Sequence, residues 1–207
     1  MKETLPLTHL ETIFINNAYC LAGADEAGAG TLAGDLVVAA CILDPNKKID
    51  GLNDSKKLTE KNREELFEII KANAFAYHIV HISPQDIDKS NILECRMRGM
   101  RECIQALSQA SHAIVDGDRV PSNMPVETIA VVKGDDKIDC VRAASILAKV
   151  SHDRDLILKG SAYPQFTFSK HKGYGTKNHK DELALHGPTP MHRFSYKPVR
   201  EAAENRS

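Results

Sequence analysis

The stretch over residues 35–43, DLVVAACIL, constrains the fold more than any other. It is β-branched and apolar without a break, then stops at Asp44-Pro45, which is how a strand reads. A shorter apolar run over residues 20–25 precedes it and leads into Gly28-Ala29-Gly30. Two such runs joined by a glycine turn predict an antiparallel hairpin. The rest of the chain must supply layers to cover it. Residues 59–73 read as a helix capped by Thr59, with Leu66, Ile69 and Ile70 in one stripe. Residues 75–82 alternate as a strand, and residues 91–110 are helical, with Ile92, Met100, Ile104 and Leu107 on one side. Residues 112–118 and 127–132 are buried-type strands, residues 141–158 an Ala-rich helix, residues 161–175 loop, and residues 176–186 a short helix before a polar tail. This order predicts an α/β fold in which three antiparallel strands meet two later parallel ones in a mixed sheet flanked by helices.

Composition limits what such a sheet can be for. At 207 residues and a formal charge of -1 the chain suits one ordinary soluble domain, or one domain and a tail. No run approaches the ~18 apolar residues of a membrane span, and the first residues lack a secretory layout, so a cytoplasmic location is expected. The five cysteines are scattered without a C-x-x-C pair, so reduced thiols are expected and zinc is disfavoured. The charge is unevenly spread. Residues 1–136 hold 14 Lys and Arg against 21 Asp and Glu, whereas residues 137–207 hold 13 against 7. An acidic centre beside a basic flank suits a metal-dependent enzyme acting on a polyanion, and equally an uneven solvated surface.

Acids stand where the apolar runs stop. Asp25 and Glu26 follow the first, Asp116 ends the fourth, and Asp135 follows the fifth after Lys133-Gly134. Ligands gather at the carboxyl ends of strands in such sheets, and converging carboxylates are what a hard divalent cation binds. Each acid singly reads as well as a turn residue. Neighbours on a strand face opposite ways, so Asp25 and Glu26 reach one site only if the strand ends or bulges there. Gly28 to Ala33 matches G-x-G-x-x-A, but a strand follows where a dinucleotide motif opens a helix, so that reading fails. Glycines there serve a tight turn or a close approach of backbone to ligand. Lys56 and Lys57, Ser145, and Lys172 with Tyr174 between glycines suit contacts to phosphate and sugar; each alone is equally ordinary surface or packing.

Taken in order, the segments AGADEAGAGTLAG from Ala22, GLNDSKKL from Gly51, IVDGD from Ile114, VVKGD from Val131, AASILAKV from Ala143, HKGYGT from His171 and HRFSYKPV from His192 resemble bacterial ribonuclease HII across about residues 22–199. The resemblance implies an RNase H-like five-stranded sheet over residues 19–160, a lead-in over 1–18, and a C-terminal helical extension over 161–207. It implies four catalytic acids, Asp25, Glu26, Asp116 and Asp135, with Asp25, Glu26 and Asp116 as metal ligands for Mn²⁺ or Mg²⁺. It implies substrate contacts from Gly28, Ala29, Gly30, Lys56, Lys57, Ser145, Lys172 and Tyr174, the last beside the ribonucleotide. The implied activity is endonucleolytic cleavage of the RNA strand of RNA/DNA hybrids and at single ribonucleotides in duplex DNA, leaving 3′-hydroxyl and 5′-phosphate, by a monomer with no obligate protein partner. In a two-metal hydrolysis, one ion would activate the water and the other would stabilise the leaving 3′-oxygen; Asp135 would serve the water side.

Two positions depart from the family pattern D-E-x-G-R-G-P. Ala29 stands where an arginine is usual and Thr31 where a proline is. The loop backbone can still meet a 2′-hydroxyl, the group that separates RNA from DNA, but a charge-assisted phosphate contact is missing. A less selective nuclease, or a binder without turnover, are the competing readings. Arg142, where a small residue is common, either brings a cation to the substrate or is simply solvated.

Overall fold

The hairpin forms as the sequence predicts. Strands β1 (Leu21–Ala27) and β2 (Leu36–Ile42) pair antiparallel, with Asp25 opposite Ala39 and Glu26 opposite Val38. The computed structural model describes residues 20–205, so the lead-in expected over residues 1–18 lies outside the described residues. After β2 come helix α1 (Glu60–Asn73), strand β3 (Ala76–Ile82), helices α2 (Pro84–Lys89) and α3 (Ile92–Ala106), and strands β4 (His112–Asp116) and β5 (Glu127–Val131). A 3₁₀ turn (Gly134–Asp136), the long helix α4 (Asp139–Gly160), and helices α5 (Phe168–His171), α6 (Lys177–His186) and α7 (Lys197–Glu204) complete it. The sheet order is β3-β2-β1-β4-β5; β3, β2 and β1 run antiparallel, and β4 and β5 run parallel to β1. This is the expected mixed five-stranded sheet with flanking helices.

Local chemistry sets the element ends. Thr59, Asn91 and Thr176 each accept a backbone N–H from three residues on, capping α1, α3 and α6. Ser83 caps α2 in the same way before Pro84, and periodicity did not reveal that helix because it is only six residues long. Residues 161–175 are not all loop, since α5 lies within them, and the polar tail ends in α7, anchored by buried Val199.

Strand β2 explains its own composition: every residue in it is at most 2% exposed, because both faces of the sheet are covered. On one face Val38 and Ala40 meet Met100 and Cys103 of α3. On the other Val37 and Ala39 meet Phe67 and Ile70 of α1 and Ala144 and Leu147 of α4. The small residues of α4 let it lie directly on β1. A Cβ at Gly23 would stand 2.4 Å from both the Cys140 carbonyl carbon and the Val141 nitrogen, so only glycine permits that approach. Beyond α4, Phe166, Phe168, Leu183 and Met191 form a further core with Leu32 and Ala33 of the β1–β2 loop. The last 45 residues described are thereby tied to that loop, beside the carboxyl end of β1.

Candidate active site

Alternation along β1 decides where its two acids go. The strand runs on to Ala27 without a bulge, so Asp25 and Glu26 take opposite faces of the sheet. Asp25 faces α4 and is 5% exposed. It accepts from the Ser145 hydroxyl and from the Glu26 N–H at 2.8 Å. Ser145 in turn lies 3.0 Å from the Ser55 hydroxyl. Glu26 faces α3, where Arg96 grips both its oxygens at 2.8 and 3.0 Å. Asp116, at the end of β4, accepts the Gly134 N–H at 2.7 Å. Asp135, in the 3₁₀ turn, is buried and bonded to Lys56 Nζ at 2.8 Å.

Three of these carboxylates crowd one another. Burial pushes the Asp25 pKa well above the usual range, and the charges of Glu26 and Asp116 push it further. Glu26 is raised by burial, against the pull of Arg96, and Asp116 by burial, against its bond from Gly134. Buried like charges at a strand end are costly unless a cation joins them. The donors are all oxygen, which fits a hard divalent ion. A different trio, Asp35, His81 and Asp155, has its ligand atoms within 4.8 Å of one another among the described residues. Lys159 Nζ already sits 2.7 and 2.9 Å from its two carboxylates, so an ammonium fills that position.

Although they leave β1 on opposite faces, Asp25 and Glu26 both lie past the last β1–β4 pair, Ala24 with Val115, so without a bulge both reach the open edge there and, with Asp116, open onto a cleft of about 250 Å³. Of the residues expected to touch substrate, Gly28, Ala29, Gly30, Lys56, Ser145 and Tyr174 line it. Gly28 has φ +84°, and a Cβ there would stand 2.5 Å from the His152 ring, so the turn needs glycine. Tyr174 is 41% exposed, with Lys149 Nζ 5.1 Å from its ring centre. Lys57 and Lys172 are not brought into the lining. Lys57 pairs with Asp136, and Lys172 with Glu60 at 3.2 Å. Arg142 is neither at the substrate cleft nor free in solvent: it bonds Asp139 at 2.6 Å and the Asp136 carbonyl, bracing the 3₁₀ turn. Sequence reading missed Ser55, Arg63 and Lys149 in the lining, and Arg96 behind Glu26. Lys149 did carry a signal, standing one helical turn from Ser145 and so on the same face.

A mixed five-stranded sheet with carboxylates at the carboxyl ends of its central strands, and C-terminal helices folded against a glycine loop beside them, defines a ribonuclease H-type enzyme. Comparison with known proteins narrows this. The family model described as Ribonuclease HII matches residues 22–199. The chain is 48% identical over 195 residues to ribonuclease HII of Marinomonas sp. (strain MWYL1), covering 92% of this chain and 98% of that one. Its fold matches the crystal structure of ribonuclease H2 from Pyrococcus horikoshii OT3 with a TM-score of 0.75, at 26% identity over 89% of this chain and 97% of that one. The Mn²⁺ complex of Bst ribonuclease HIII shares the fold with a TM-score of 0.67 at 16% identity, over 90% of this chain and 70% of that one. The chain belongs to the ribonuclease HII family, whose members are divalent-metal-dependent enzymes. Among the described residues no helix is long and apolar enough to cross a membrane.

Proposed function

We propose that the enzyme cuts the RNA strand of RNA/DNA hybrids and the backbone at single ribonucleotides in duplex DNA, using Mn²⁺ or Mg²⁺. The observation that carries the reading is the meeting of Asp25, Glu26 and Asp116 with the Gly28–Gly30 backbone and Tyr174 in one cleft. Asp25, Glu26 and Asp116 would hold the metal, which would supply a lowered pKa to the attacking water and a stabilising charge to the leaving oxygen. Ser145 and Ser55 keep Asp25 aimed, and Arg96 fixes Glu26 and opposes the upward push of burial on its pKa. Rather than serving the water side directly, Asp135 acts through Lys56, holding that ammonium at the cleft, where it neutralises phosphate. Tyr174 packs against the sugar, with Lys149 beneath its ring. Lys57 and Lys172 give up their acidic partners for phosphates further along the duplex. The water oxygen bonds to phosphorus as the bond from phosphorus to O3′ breaks, leaving 3′-hydroxyl and 5′-phosphate. In this reading residues 161–207 act as an extension completing the site of residues 19–160, and the enzyme works as a cytoplasmic monomer without an obligate protein partner.

A second reading rests on Ala29, whose methyl group brings no cation to the phosphate beside the ribose: a nuclease less selective for RNA. One assay separates the two. An RNA/DNA hybrid, a duplex with one ribonucleotide and an all-DNA duplex are each incubated with Mn²⁺, with Mg²⁺ and with excess chelator. Cleavage of the first two alone, abolished by chelator, is the expected result. All-DNA cleavage at a similar rate would establish the second reading, and cleavage in chelator would overturn the metal site.

A further inference from the structure

The loop between β1 and β2 is gripped from below by one buried cation. Arg193 is 0% exposed. Its Nε and Nη2 donate to the Gly34 carbonyl at 3.2 and 2.9 Å, and its Nη1 donates to the Ala29 carbonyl at 3.1 Å and to the Tyr196 hydroxyl at 3.1 Å. The Tyr196 hydroxyl donates to the same Ala29 carbonyl at 2.7 Å. A buried guanidinium is costly unless its donors are satisfied. Here they are satisfied by two carbonyls of the glycine loop and one hydroxyl, so the C-terminal extension places its most expensive side chain under residues 29–34.

The consequence lies in one peptide plane. No peptide in the described chain is cis, so the Gly30 N–H points opposite to the Ala29 carbonyl. With that carbonyl drawn inward by two donors, the Gly30 N–H faces away from the clamp. Gly30 is exposed and lines the cleft, and a Cβ there would meet nothing within 4 Å. Because residue 30 is glycine, the Ala29–Gly30 plane could turn over at little cost if nothing held it. With alanine at 29, the loop offers a ligand its backbone and no charged side chain. We infer that Arg193 and Tyr196 are positioning residues that hold the Gly30 N–H as the donor to the substrate's ribose 2′-oxygen, so that ribose discrimination depends on the C-terminal extension. The inference rests on the ribonucleotide reading of the cleft given above.

Tyr196→Phe tests it, since the ring that faces the Arg193 guanidinium at 5.3 Å is kept while the hydroxyl's bond to the Ala29 carbonyl, and the one it accepts from Arg193, are lost. The kcat/KM of parent and variant is measured on a duplex with one ribonucleotide and on the same duplex with 2′-fluoro at that nucleotide, which keeps the sugar shape and accepts poorly. The parent should prefer the ribonucleotide. In Tyr196→Phe that preference should fall by roughly threefold to tenfold, as for one hydrogen bond lost at the Ala29 carbonyl, with the 2′-fluoro rate unchanged. The Gly30 amide resonance of the free enzyme should broaden or double as the plane turns over, a readout independent of catalysis. An equal loss on both duplexes, an undiminished preference or an unaltered Gly30 resonance overturns the inference. A parent indifferent to the 2′-group removes the substrate reading itself, and the inference with it.

Discussion

Asp116 shows how charge and hydrogen bonding can be separated at one residue. Its carboxylate is destabilised by burial and by the charge of Asp135, while its Oδ1 receives the Gly134 N–H. Asp116→Asn keeps an oxygen for that bond and removes the charge. Turnover should drop by at least ~10²-fold, since loss of even an outer partner of a metal site costs about 10–100-fold. A carboxyl whose folded pKa is raised favours the fold when protonated and opposes it when ionised. The metal-free variant should therefore melt above the parent at neutral pH, with the difference vanishing in acid. Melting curves in chelator at pH 7 and at about pH 3 read this directly; a variant that melts lower at pH 7 would mean that repulsion is already relieved. The acids were legible in the sequence because each follows an apolar run at a strand end. Their partners were not. Arg96 lies 70 positions from Glu26 and Ser145 120 from Asp25, and no local pattern specifies pairs that only the folded sheet brings together.

Among the elements, the contact of β1 with α4 sets the depth of the site, because it places Ser145 against Asp25. Gly23→Ala would put a methyl group 2.4 Å from backbone atoms of Cys140 and Val141, which cannot swing aside as a side chain can. The helix must retreat. Overpacking of this kind costs about 1–3 kcal/mol, and about 2–4 °C of melting temperature follows per kcal/mol in a chain of this size. Turnover per folded molecule should fall as well, as Ser145 leaves Asp25. An unchanged melting temperature would show that the helix has slack the structure does not display. Elements were read from the sequence in proportion to their length and periodicity. The uninterrupted run of β2, the stripes of α1 and α3 and the capping Thr59 each mark an element locally. Helices α2 and α5, of six and four residues, are too short for a period to register, and the seat of Arg193 under the loop is a tertiary fact that the HRFSYKPV segment does not betray.

Across the whole molecule, the extension that closes on the glycine loop is itself tied together through imidazoles that must stay neutral. Thr189 donates its N–H to His192 Nδ1 at 3.0 Å, which leaves the His192 proton on Nε2. That proton faces His179 Nε2 at 3.0 Å, and His179 Nδ1 then donates to the Tyr174 carbonyl at 3.0 Å. Next to them His171 stacks on His179 at 4.0 Å and donates to Glu182 at 3.0 Å. Burial, then mutual repulsion, lowers His179 to about 4 and His192 to about 3, and burial also lowers His171, from an ordinary 6.5. A depressed folded pKa means that the unfolded chain takes up protons first. The stability these groups contribute is complete above about pH 6.5 and is lost as pH falls toward 4, at up to about 1.4 kcal/mol per pH unit for one imidazole. The carboxylate cluster works the opposite way, since acid relieves its repulsion, so a melting curve alone mixes the two. Ring-proton resonances separate them. Those of His179 and His192 should stay flat from pH 7 to about 5, then move together with loss of the Tyr174 loop's protection from hydrogen exchange, because a proton on His192 Nδ1 breaks the bond from Thr189 and the relay behind it. Titration of either ring near 6.5 with the loop still protected would show that the extension is held by its apolar contacts and by Arg193 alone.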